Sequence, residues 1–124
     1  MKTFQVMVYR LGKSGEIEHW PEAEFSDRYK ALVNEGLPAG EGPHGVDFGT
    51  LGRGANGRIL SFICNEWGMV IPLPANRHHT GPWHIYGNFV VFAADQEGET
   101  VSLSDDEIAW LEQYWPSYLV SKEA

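Results

Sequence analysis

The chain has 124 residues, 43% of them apolar and 13% aromatic, enough for one domain whose core covers about two-thirds of the unfolded surface. The formal net charge of −8 repels a phosphate backbone and argues against direct DNA or RNA binding. A lone cysteine, Cys64, excludes an internal disulfide, and no stretch approaches a membrane span or an apolar signal core, so a soluble cytoplasmic protein with a single domain over 1–124 is expected.

From the N-terminus, TFQVMVYRL alternates, with Phe4, Val6 and Val8 on one face and Gln5, Met7 and Tyr9 on the other. GKSG can turn it back into EIEHW, which predicts a hairpin. In FSDRYKALVNEG, Phe25, Tyr29, Leu32 and Val33 form one helical stripe, with Ser26 as the expected N-cap, Asp27 in the first turn and Gly36 as the stop. Residues 36–57 hold eight of the fourteen glycines and read as a long loop in which GVDFGTL is a hidden strand. RILSFICNEWGMVIPL predicts two strands around the turn NEWG, with Pro72 at a strand end or edge. PANRHHTGPWH reads as a polar loop and IYGNFVVFAA as a further strand, followed by the turn DQEGE and a short extended TVSL. SDDE is a capping box, with Ser104 as N-cap and Glu107 at the third helical position. Ile108, Leu111 and Trp115, joined by Tyr114, give that helix its buried stripe, and Pro116 kinks or ends it. The expected fold class is α+β: a mainly antiparallel sheet of about five strands with two helices packed on it, the second C-terminal.

The hexapeptide GRGANG, residues 52–57, fits the G-x-G-x-x-G spacing of a dinucleotide cradle. Such a cradle must open a helix, because the helix N-terminus supplies the phosphate donors. Here the motif runs into RILSFIC, which reads as strand, and no acid stands about 20 positions on to hold a ribose. The glycines therefore read as hairpin or loop glycines. The histidines of NRHHTGPWH lack nearby Cys or acidic ligands, so no metal site is expected; of the three, His79 and His84 could meet across a turn. Cys64 sits in an apolar strand, and no Ser lies in a G-x-S-x-G elbow. An enzyme would have to use Glu66 or the histidines at 78–84, and it is the least supported of three readings; no cofactor is expected.

Charge is uneven along the chain. Between Phe48 and Ala94, Arg53, Arg58 and Arg77 face a single acid, Glu66, so the rest of the sequence sums to −10. Arg53, Arg58, Asn65, Asn76, Arg77, Trp83 and His84 form a candidate site for a small anionic ligand of nucleotide type, with Arg77 as anchor and Trp83 as stacking face. The structural alternative is that Asn76 and Arg77 tie their loop to its neighbours through backbone hydrogen bonds. The acids Glu16, Glu18, Glu22, Glu24, Asp95, Glu97 and Glu99 are the candidate docking surface for a basic partner; the simpler account is a solvated surface that aids solubility. Several aromatics, if exposed, would suit a homodimer.

Four further motifs share a pattern: Asn65, Glu66 and Gly68; Leu73, Pro74, Asn76 and Arg77; Gly87, Val90 and Val91; and Ser102, Leu103, Ser104, Asp105 and Glu107. Over residues 58–115 this resembles a family of small domains of unknown function found in phage, plasmid and other mobile-element genomes. The resemblance implies a fold and a context, an accessory gene acting inside a bacterium, and carries no activity. With the acidic charge it leads to the expectation of a non-enzymatic inhibitor or modulator of a host defence or nucleic-acid-processing complex. The partner would be a host protein or protein–nucleic-acid complex with a basic surface.

Overall fold

The computed structural model describes residues 2–71, 73–80 and 83–115; Pro72 and Pro116 lie outside them. The first alternating segment forms β1 (Thr3–Tyr9), which pairs antiparallel with β2 (Glu16–Pro21) from Thr3 opposite Pro21 to Val8 opposite Glu16. A 3-10 turn at Glu22–Glu24 runs straight into α1 (Phe25–Val33). That continuity corrects the expected cap. Glu24 occupies the cap position with a helical backbone and no side-chain bond, while Ser26 lies inside the helix with its hydroxyl 3.4 Å from Tyr29 Oη. Asn34 ends the helix, and Gly36 takes a left-handed φ of +69° two residues later.

The glycine-rich segment contains β3 (Val46–Arg53), which forms a hairpin with β4 (Ile59–Asn65) through a 3-10 turn at Ala55–Gly57. Over the described residues of GMVIPL the expected return strand does not form. β4 already has β3 on one edge and β7 (Phe89–Ala94) on the other, so a third ladder has no partner groups. Residues 66–71 coil into a turn instead, with the Ile71 N–H donating to Trp67 O at 3.0 Å. The polar ANRHHT, expected as loop, is β5 (Ala75–Thr80), and it pairs with β6 (Trp83–Tyr86). The single strand expected over IYGNFVVFAA is split at Gly87, whose φ of +76° turns the chain from β6 into β7. β8 (Thr100–Val101) and α2 (Asp105–Tyr114) complete the chain order.

Six strands, one more than expected, make an antiparallel sheet in the order β2-β1-β7-β4-β3, with β8 beside β7; β5 and β6 form a separate ribbon. Side-chain alternation divides the core between the two faces. Phe4, Val6, Val8, Trp20, Ile63, Val90 and Phe92 point to the face that Leu32 and Val33 of α1 cover. Met7, Tyr9, Leu60, Phe62, Phe89 and Val91 point the other way, against Ile85 of the ribbon and Ile108, Leu111 and Trp115 at α2. Each fully buried aliphatic contributes about 1.5–3 kcal/mol, so neither cover is dispensable. Tyr114 stays outside this stripe, 40% exposed, with its hydroxyl donating to His79 O at 2.9 Å.

Gly87 is needed twice over, for its positive φ and because a Cβ there would stand 2.7 Å from Leu73 Cδ1. Gly87→Ala should lower unfolding free energy by about 1–3 kcal/mol. Gly98→Ala, at a φ of +83° in open space, should cost less, and urea denaturation of the two variants checks the order.

Candidate functional site

Of the polar residues in the four sequence motifs, the structure takes Asn65, Asn76, Arg77 and Glu107 into the interior. Asn65 Nδ2 donates to Val33 O at 3.1 Å, and Asn65 Oδ1 accepts from the Trp67 N–H at 2.8 Å, so one side chain ties the end of β4 to the end of α1. Asn76 Nδ2 donates to Tyr9 O and to Gly87 O, both at 2.9 Å. Its Oδ1 accepts from Arg77 Nη1 at 2.7 Å, and Arg77 Nη2 donates to Lys13 O at 2.7 Å. Arg77 has no exposed surface, and its guanidinium lies 5.3 Å from the centre of the Tyr9 ring. Burial lowers its pKa, partly opposed by Tyr9; burial likewise raises the Tyr9 hydroxyl, partly opposed by Arg77. Among the described residues, Tyr9 Oη and Arg77 Nε are buried without a hydrogen-bond partner.

The seven candidate ligand residues therefore do not share a hollow. Arg77 and Asn76 lie at the Tyr9 end of β1, which pairs with Phe89, whereas Arg53 and Arg58 flank Ile59, at the Ala94 end of β7. Trp83 is exposed at the start of β6. His84 stands in register with His78, their rings 5.5 Å apart, so the pair that meets is 78–84 rather than the expected 79–84. His79 faces the sheet with its ring 5.0 Å from Phe62, and burial, with His78 adding to it, lowers its pKa. No three His, Cys, Asp or Glu side chains among the described residues gather around a common metal position. Glu66 is exposed in the turn after β4. The Cys64 thiol is pushed up to about 12 by burial and then by Asp47, which keeps it protonated at neutral pH.

GRGANG closes the β3–β4 hairpin and opens no helix. Gly54 N–H donates to Arg58 O at 2.8 Å, and Asn56 takes a left-handed φ of +58°. From the end of this hairpin Arg58 reaches α2. Its Nε donates to Glu107 Oε2 at 2.9 Å, and its Nη2 to Glu107 Oε1 at 2.8 Å and Ser102 O at 2.6 Å. Glu107 also completes the expected capping box, accepting from Ser104 N–H at 2.7 Å while its own N–H donates to Ser104 Oγ. Sequence reasoning found the cap but not the ion pair, whose members are 49 positions apart with no local pattern linking them. Burial alone would raise the Glu107 carboxyl; hydrogen bonds from Arg58 and Ser104, with the Arg58 charge, outweigh it and hold the carboxyl below its usual range. Above this pair lies a hollow of about 410 Å³ lined by Arg53, Asn56, Arg58, Leu60, Asp106 and Trp110.

The candidate docking acids are only partly gathered. Thr3 pairs with Pro21, and Ala94 pairs with Ile59 and Thr100, so Glu22 and the turn 95–99 share one end of the sheet. Asp95 spends its carboxylate on the Glu97 and Glu99 N–H groups, each at 3.0 Å. Glu24 bridges Arg28 at 2.9 Å, and Glu18 bridges Arg10 at 3.0 Å while accepting from Trp20 Nε1. Glu16 stands at the opposite end of β2. Glu22, Glu97 and Glu99 remain as exposed carboxylates without a side-chain partner among the described residues.

This is an α+β domain in which the buried residues of the motifs fasten its layers together. Residues 57–116 match a family described as a domain of unknown function (DUF3846), a segment from the β3–β4 turn to just past α2. The resemblance to a small domain-of-unknown-function family thus holds for just under half of the chain. No curated protein and no solved structure matches it.

Two outcomes follow from the buried contacts. Asn76→Ala strips partners from Tyr9 O, Gly87 O and Arg77 at once and should cost about 2–4 kcal/mol in chemical denaturation. Glu107 contributes its stability fully above the unfolded pKa of 4.5 and loses it as pH falls through the depressed folded value. Glu107→Gln should therefore be about 1–3 kcal/mol less stable at neutral pH, and its deficit against wild type should narrow below that point in urea midpoints taken across pH.

Proposed function

We propose that this chain is a non-enzymatic binding protein that docks one acidic end onto a basic surface of a larger partner. The observation that carries the reading is the convergence of exposed Glu22, Glu97 and Glu99 at one end of the sheet, in a chain of net charge −8. Asp105 and Asp106, in the first turn of α2, add to the local negative charge. Glu22 opens the 3-10 turn after β2, and Glu97 and Glu99 lie in the short connection between β7 and β8, so the strand ends keep these like charges at one end of the sheet. Such an arrangement steers a positively charged partner and raises the association rate.

Taken with the small size and the family resemblance, this supports a narrower proposal. The protein is a phage or mobile-element accessory factor that acts in the host cytoplasm. There it occupies the basic channel of a defence or nucleic-acid-processing complex and so inhibits or modulates it.

The triple variant Glu22→Lys, Glu97→Lys and Glu99→Lys tests the reading, since all three side chains are exposed and the fold should survive. In pull-downs from host lysate the wild-type chain should retain a partner at about 0.05 M salt and release it at about 0.5 M, where screening is strong. The variant should retain none at either concentration. A partner held equally by the variant, or one indifferent to salt, would place binding elsewhere on the molecule.

A further inference from the structure

We infer that the hollow between the β3–β4 hairpin and α2 binds a planar aromatic ring bearing one anionic group, a carboxylate or a phosphate monoester. Of the carboxylates counted at the docking end only Asp106 lines this hollow, whereas Glu22, Glu97 and Glu99 do not, and the inference does not rest on that reading.

Four charged side chains line the hollow, and they play unequal parts. Arg58 and Glu107 are closed on each other through two short hydrogen bonds, so they form a neutral wall. Arg53 has neither an ion pair nor a hydrogen bond from its side chain among the described residues, and it is exposed at the rim. It is the cation that remains for an anion. Asp106, also on the rim, repels a second negative charge and can accept from a ligand N–H or hydroxyl. The lining thus favours an anionic group at one side and a neutral, donor-bearing body at the other, which disfavours a polyphosphate.

The body of the ligand is set by Trp110. Its indole stacks on Tyr114 at 5.0 Å and 10°, which fixes the ring, yet Trp110 remains 40% exposed beside the hollow. Leu60 supplies further apolar lining. An exposed, pre-oriented indole next to an unpaired arginine offers a stacking surface and an anion contact together. The two glycines of the wall have different reasons. At Gly54 a Cβ would lie 2.8 Å from Glu107 Oε2, so a side chain there would disturb the ion pair. At Gly52 a Cβ would sit at an ordinary 3.8 Å from Trp110 Cη2, with no positive φ to strain. A larger side chain at Gly52 would therefore enter the hollow from a backbone position that accepts a Cβ.

The test is calorimetric titration of the full chain with indole-3-acetate and AMP, each beside its neutral counterpart, indole-3-acetamide and adenosine. At least one anion should bind, about tenfold tighter than its counterpart, as one charge-assisted contact requires. The preferred anion tells an aromatic carboxylate from a phosphate ester. Arg53→Ala should abolish the difference between anion and counterpart, and Gly52→Leu should abolish binding with the melting temperature retained. If neither anion binds, if Arg53→Ala leaves the ratio unchanged, or if folded Gly52→Leu still binds, the inference is overturned.

Discussion

Strand β7 sets the terms for everything around it. Phe89 through Ala93 are buried on both sides of the sheet, in a run with no polar alternation. Its backbone groups are satisfied by β4 on one edge and by β1 and then β8 on the other. A strand buried on both faces requires two covering layers, or its side chains return to water. One layer is α1, joined to the sheet by Leu32 and Val33. The second combines the β5–β6 ribbon with α2, which neither Ile85 nor Leu111 could provide alone.

Two polar fastenings secure that second layer, at opposite ends of β7. At the Phe89 end, Asn76 and Arg77 bind the ribbon to backbone carbonyls of Tyr9, Gly87 and Lys13. At the Ala94 end, Arg58 and Glu107 bind the hairpin to α2. Such groups are costly to bury unless they are satisfied, and here most of their donors and acceptors have partners. Within the 57–116 segment, Asn65, Asn76, Arg77 and Glu107 are therefore answers to a packing problem. Arg53, Trp110, Glu97 and Glu99, by contrast, stand exposed at the surface.

What could be read from the chain follows from how each element is stabilised. The strand FVVFAA, the hairpin at the N-terminus and the capping box of α2 carry their signals locally, as apolar runs, turn residues and a four-residue pattern. β5 was hidden because ANRHHT is polar, and its Asn76 and Arg77 are buried by hydrogen bonding rather than by hydrophobicity. GMVIPL misled in the opposite direction: it is apolar, but both edges of β4 were already taken, so Met69 and Val70 are left exposed in a turn. Of the candidate site, the arginines were visible as residues and their separation was not. Which of them meets a carboxylate 49 positions away depends on the folded topology alone.

The loop from residue 36 to 45 connects α1 to β3 without helix or strand of its own, and only Leu37 and His44 are even half-buried there. The piece before it holds β1, β2 and α1, whereas the piece after it holds the remaining strands and α2. No strand runs through the loop, and the two pieces are joined instead by the β1–β7 ladder and by cores to which each contributes. The loop is thus a seam between two pieces of chain that meet in the β1–β7 ladder and share both cores, which makes it the place where a cut or an inserted sequence would cost the fold least.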